Sequence, residues 1–138
     1  MSGPSGRQPK KGSASPRCPT GPPPARTRPP CRQSATGSSH VASLTLQTTP
    51  DVDLGLASGA YTPSKTLLNA VTIQYAKELV GTNILINNAC PGYVATDLNG
   101  FQGTSTPQEG AAIAIKLATL PDDGPTGGLF DAAGVVPW

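Results

Sequence analysis

Aromatic side chains are nearly absent from this 138-residue sequence: Phe, Trp and Tyr together make up 4%, beside a hydrophobic fraction of 36%. So few large apolar groups limit the chain to one domain of modest size. Histidine occurs once, at His40, and the three cysteines, Cys18, Cys31 and Cys90, show no C-x-x-C spacing. No His/Cys cluster can therefore ligate a metal, and an odd number of scattered thiols argues against a structural disulfide. No apolar run approaches the roughly 18 residues of a membrane span, and no apolar segment follows the basic start as in a signal peptide. The expected location is the cytoplasm, away from membranes.

Acidic residues are missing from one part of the chain. Residues 1–37 hold seven of the ten basic residues, nine of the sixteen prolines and no acid, and contain no Val, Leu, Ile, Phe, Tyr or Trp. Residues 38–138 carry three basic against eight acidic residues, a net −5, so the overall +2 describes neither part. Without apolar surface to bury, a segment cannot offset the entropy of ordering it, and residues 1–37 read as a disordered tail. A phosphate-binding basic arm is one alternative, but no aromatic is interleaved for base stacking, so nucleic acid is not an expected partner. A transit peptide is another, although "GPPPARTRPP" cannot form an amphipathic helix. Pro, Arg, Gly, Ser, Ala and Thr are also what GC-rich DNA encodes in a wrong frame, a third origin for such a segment.

Beyond the tail, Leu68, Val71, Tyr75 and Leu79 recur at three and four residues, the helical period. Pro63 fits only near a helix start, so this helix is expected to begin between Gly59 and Thr62 and to end at Gly81 and Asn83. "NILIN" is a short apolar run suited to a strand, and "ACPGYVATD" follows as a loop. Thr106, Pro107 and Glu109 form an N-cap, a first-turn proline and a capping-box acid, predicting a second helix to about Leu120. After the turn-rich "PDDGPTGG", a last strand is expected at Leu129–Asp131. Helix, strand, helix, strand is the order of half a parallel α/β sheet.

Tyr61 and Lys65 are four apart at the head of the first helix, so they stack on one face and present a phenol and an ammonium to one point. Moving a phenol from about 10 to about 7 requires roughly 4 kcal/mol. A unit charge at about 4 Å and an effective dielectric near 20 is worth about that much. The pair can thus serve as a general acid near neutral pH, a role worth roughly 10²- to 10⁴-fold in rate.

With Y-x-x-x-K on a helix before a strand, and Pro91-Gly92-Tyr93-Val94-Ala95-Thr96-Asp97 directly after that strand, the chain resembles the short-chain dehydrogenase/reductase family. "ILINNACPGYVATDLNG", "TPQEGA" and the closing "PTGGLFDAAGVVPW" are most similar to its carbonyl-reductase-like members. The resemblance covers residues 38–138, a partial domain: the C-terminal half of a Rossmann-like, doubly wound parallel sheet. "SSHVASL" resembles the family's catalytic-serine segment, with Ser39 in that role, although no apolar strand precedes it. "QTTPDVDLGLAS" resembles an insertion that widens the gap from Ser39 to Tyr61.

The resemblance implies that Tyr61 protonates a carbonyl oxygen, Lys65 also binds the cofactor ribose, and Ser39 orients the carbonyl. It implies further that Pro91, Gly92, Val94 and Thr96 border the nicotinamide of NADP or NAD, and that the partner is a small ketone, aldehyde or quinone. His40 is expected in an exposed loop and Tyr93 as a packing aromatic. Asn87-Asn88-Ala89 runs straight into Pro91-Gly92, so it is not the family's N-N-A-G. Gly55 and Gly59 lack the third glycine of G-x-x-x-G-x-G, whose place is taken by Tyr61. No dinucleotide fingerprint occurs in the 138 residues, and a glycine turn of that kind normally cradles the pyrophosphate. The sequence therefore leaves three functions open: a carbonyl reductase present as a truncated chain, an inactive fragment from a frameshifted or misannotated gene, and a basic-tailed binding module. Oligomeric state is not read from these residues.

Overall fold

A computed structural model describes residues 30–55 and 59–138. A four-stranded sheet runs in the order β1 (Arg32–Gly37), β2 (Ile84–Ala89), β3 (Leu129–Phe130) and β4 (Val135–Val136). The first three strands are parallel, and β4 returns antiparallel on β3. Helix α2 (Tyr61–Glu78) connects β1 to β2, and α3 (Pro107–Ala118) connects β2 to β3. The expected α/β architecture with helix, strand, helix, strand is present. Thr106 and Glu109 close the capping box at the head of α3, as their spacing predicted. The Glu109 carboxyl lies below its ordinary value because the backbone N–H and hydroxyl of Thr106 donate to it.

Strand β1 corrects the expectation of a disordered segment through residue 37; the strand that precedes Ser38 and Ser39 is polar, and no apolar one is present there. "RQSATG" lacks an apolar alternation, yet pairs along its whole length, from Arg32 opposite Ile84 to Gly37 opposite Ala89. A parallel ladder is made by backbone groups, which every non-proline residue supplies. The tail's remaining expectations, residues 1–29, lie outside the described residues. Cys31 is disulfide-bonded, contrary to the expectation of no structural disulfide. A short helix, α1 (Leu44–Thr48), preceded by a 3-10 turn at His40–Ala42, leads into the expected insertion and overlaps only its first two residues, Gln47 and Thr48.

The core is small and lies in patches. Ala89, Ile113 and Leu117 are buried together with Ala35 and Phe130 against them, joining α3 to β1, β2 and β3. Leu129, Cys90 and Val136 form a second patch capped by Leu46 and Trp138. Helix α2 has the expected period, but its apolar stripe is not the face it buries. Val71 and Tyr75 are exposed, while Asn69, Thr72 and Ala76 are buried. These short side chains let α2 approach β2 closely and place hydrogen-bonding groups, rather than bulk, at the contact.

Candidate active site

The site residues gather where β1 and β2 end. Tyr61 opens α2, and Lys65, one turn on, reaches back so that its ammonium donates to the Gly37 carbonyl oxygen at 2.9 Å. The same nitrogen stands 5.8 Å from the centroid of the Tyr61 ring, within cation–π range. One lysine thus links the phenol to the end of β1. Tyr61 is half exposed, 49% of its surface being open to solvent.

Ser39 follows immediately as the N-cap of the 3-10 turn, with extended backbone and no capping bond from its side chain. Its neighbours are anchored. Ser38 is buried and donates its hydroxyl to Asn69 Oδ1 at 2.6 Å, and His40 Nε2 lies 2.7 Å from Asp131 Oδ2. Among the described residues the Ser39 hydroxyl has no partner, so it is available to a ligand.

Strand β2 delivers the third component. Cys90 is free and buried at its end. Burial pushes its thiol above the ordinary value, while hydrogen bonds from the backbone N–H groups of Gly92 and His40 to the sulfur pull the other way. Gly92 takes φ +77°, a conformation that disfavours other residues. Beyond it, Val94 bridges to Ser105 and the Ala95 N–H donates to the Ser105 carbonyl at 2.8 Å. Gly103 passes so close that a Cβ there would strike the backbone of Val94 and Ala95. Thr96 is held by its N–H on Asn99 Oδ1 at 3.1 Å.

Ser39, Tyr61 and Lys65 thus stand on two elements joined by the Lys65–Gly37 contact, and Pro91, Gly92, Val94 and Thr96 stand on the loop that leaves β2, whose last residue, Ala89, accepts the Ser38 N–H at 2.7 Å. Tyr93 does not pack as expected; it is 55% exposed. His40 is paired rather than loose, a relationship across 91 residues of sequence that no local pattern announces. Asn69 was also not read from sequence. Its only local signal is its position four residues after Lys65, the spacing that separates Lys65 from Tyr61. Among the described residues no group of His, Cys, Asp and Glu is arranged for a metal, and no helix is long and apolar enough to cross a membrane.

No family model matches the chain. Salutaridine reductase of Papaver bracteatum is 42% identical over 74 residues, covering 54% of this chain and 23% of that protein. Carbonyl reductase (NADPH) 1 of Homo sapiens is 37% identical over 90 residues, covering 61% of this chain and 32% of its own length. Among solved structures, carbonyl reductase Sniffer of D. melanogaster matches with a TM-score of 0.59 at 25% identity, over 78% of this chain and 44% of that one. The chain spans a third or less of the length of these two curated relatives.

Proposed function

We propose, from the premise that the chain belongs to the short-chain dehydrogenase/reductase family as a partial, carbonyl-reductase-like member, that its site reduces a ketone, aldehyde or quinone to the alcohol with NADPH. The observation that carries this reading is the position of Lys65 Nζ, at once 2.9 Å from Gly37 O and over the Tyr61 ring, beside the turn that presents Ser39. Family likeness supplies the cofactor: the human relative is named for NADPH.

The residues fit the nicotinamide end of such a cofactor. An ammonium has three N–H donors, and Lys65 uses one on Gly37, leaving others for ribose hydroxyls. Pro91, Gly92, Val94 and Thr96 line the loop that would border the ring. When bound, the cofactor supplies the hydride. Tyr61 gives its phenolic proton to the carbonyl oxygen, the Lys65 ammonium favours the phenolate left behind, and the Ser39 hydroxyl donates to the same oxygen to orient it. This reading places the protein in the cytoplasm with a small-molecule substrate, and with no nucleic acid or membrane as partner.

A second reading, a catalytically inactive fragment, is favoured by the outer edge of β1. Arg32 and Ser38 donate their N–H groups toward β2, so with the period of two the backbone groups of Gln33 and Ala35 face away from it. Among the described residues nothing covers that edge except Lys65 on Gly37. Joining residues 30–138 to the cofactor-binding half of a carbonyl reductase separates the two readings. NADPH-dependent reduction of a quinone or aldehyde by the joined protein supports the first. A folded, cofactor-binding but inert protein supports the second.

A further inference from the structure

Helix α2 carries three polar residues at successive intervals of four, Tyr61, Lys65 and Asn69, which places them along one face. The first two belong to the proposed chemistry. Asn69 is 3% exposed and sits among hydrogen-bonding groups from three elements. Its amide has one workable orientation. The Ala42 carbonyl oxygen 3.3 Å away can only accept, so Nδ2 faces it, and Oδ1 then faces the Ser38 hydroxyl at 2.6 Å and the Asn88 amide nitrogen at 2.8 Å. Asn88, on β2, in turn accepts from the Thr72 hydroxyl at 2.9 Å. No buried side-chain nitrogen or oxygen among the described residues lacks a partner.

The arrangement grips the serine turn at both ends. Ser38 stands immediately before Ser39, and Ala42 closes the same turn by donating its N–H to the Ser39 carbonyl oxygen at 3.0 Å. Both are held by one side chain on the helix that carries Tyr61 and Lys65. An apolar residue of similar size would fill the space but leave the Ser38 hydroxyl and the Asn88 amide unmatched and take away one of the two donors to the Ala42 carbonyl oxygen, which Thr66 alone would still reach, at 3.2 Å.

We infer that Asn69 is a positioning residue, which fixes the Ser39 turn against α2 so that the Ser39 hydroxyl, the Tyr61 phenol and the Lys65 ammonium form one site. What the site is for rests on the reading proposed above; that Asn69 orders the turn does not.

The test uses the 138-residue chain labelled with ¹⁵N, as wild type and as Asn69→Ala, Asn69→Asp and Ser38→Ala. Backbone relaxation without ligand gives an order parameter for Ser39 and His40. In the wild type it is expected near the rigid value of about 0.85, and in Asn69→Ala and Ser38→Ala to fall below about 0.6, with α3 and β2 unchanged. Asn69→Asp retains an acceptor for Ser38 and Asn88 but loses the donor to Ala42 and buries a charge, so it is expected to restore order at Ser39 only in part. Ser38→Ala removes the same bond from the turn's side, and decides the matter if Asn69→Ala does not fold.

Reduced nicotinamide mononucleotide then serves as the probe. In the variants that loosen the turn, its effect on the Ser39 amide shift is expected to be lost while its effects at Val94 and Thr96 persist, a split that general destabilisation would not give. An ordered Ser39 in both Asn69→Ala and Ser38→Ala overturns the inference. Absence of any probe-induced shift in the wild type would count against the functional reading alone, since the ligand-free order parameters still decide the role of Asn69.

Discussion

His40 and Asp131, 91 residues apart, meet at 2.7 Å between Nε2 and Oδ2, and so tie the serine turn to the end of β3. Burial pushes the Asp131 carboxyl upward, but hydrogen bonds from His40 and from the backbone N–H groups of Gly134 and Ala133 outweigh it and hold the group below 3.8. A carboxyl depressed in the folded state adds stability that is present above its unfolded pKa and is lost as pH falls through the folded one. The chain should therefore lose stability below about pH 4, and Asp131→Asn should be less stable than wild type at pH 6 with a shallower loss on acidification. Urea midpoints at pH 6 and pH 3 check this. Equal acid losses in both proteins would contradict it.

Gly103 sets the height of the loop that carries Val94 and Thr96, because a Cβ there would meet Ala95 N and Val94 C. Gly103→Ala should cost about 1–3 kcal/mol through overpacking. It should also raise the hydrogen-exchange rate of the Ala95 amide, which now donates to Ser105. Gly59→Ala, whose added methyl meets nothing within 4 Å, is the control expected to be near neutral.

Leu129 is fully buried between β2 and β4. Leu129→Ala should cost about 2–5 kcal/mol, from lost burial and the cavity left behind. Val135, on the neighbouring strand and 76% exposed, should tolerate alanine within about 0.5 kcal/mol. Chemical unfolding of the two variants side by side reads the difference.

In the protein joined to a cofactor-binding half, Tyr61→Phe should lower turnover by roughly 10²- to 10⁴-fold and leave NADPH affinity nearly intact, since only the proton donor is lost. Lys65→Ala should weaken both turnover and cofactor binding, and should also release the Gly37 carbonyl. Steady-state kinetics with fluorescence titration separates the two effects. Equal losses of cofactor affinity would show that the roles are not distinct.

Local chemistry made much of this legible. Thr106, Pro107 and Glu109 announce α3, and the Tyr61–Lys65 spacing marks the site because capping and helical stacking act over a single turn. Strand β1 was not legible, since "RQSATG" is held by backbone pairing, with Ala35 packed against the patch under α3 and Gln33 donating to the Leu120 carbonyl beyond that helix. The inner face of α2 is hidden from the sequence for a related reason. It is lined by Asn69, Thr72 and Ala76, chosen by polar partners on β1's end and β2 that lie 16 to 31 residues away in sequence. The residues whose partners are distant, Asn69 and Asp131 among them, carry no local signature.

The proposed function implies that Ser39, Tyr61, Lys65 and Thr96 face the nicotinamide end of the cofactor, and that no group among the described residues is placed for the pyrophosphate and adenine. Parallel titrations of the 138-residue protein with NADPH and with reduced nicotinamide mononucleotide, followed at the Ser39, Tyr61, Lys65 and Thr96 amides, test it most directly. The account predicts shifts at these positions with both ligands and dissociation constants that agree within about threefold, a difference under about 1 kcal/mol. NADPH binding a hundredfold or more tighter than the mononucleotide would contradict it, because a gain of about 2.7 kcal/mol would require a site for the far end of the cofactor.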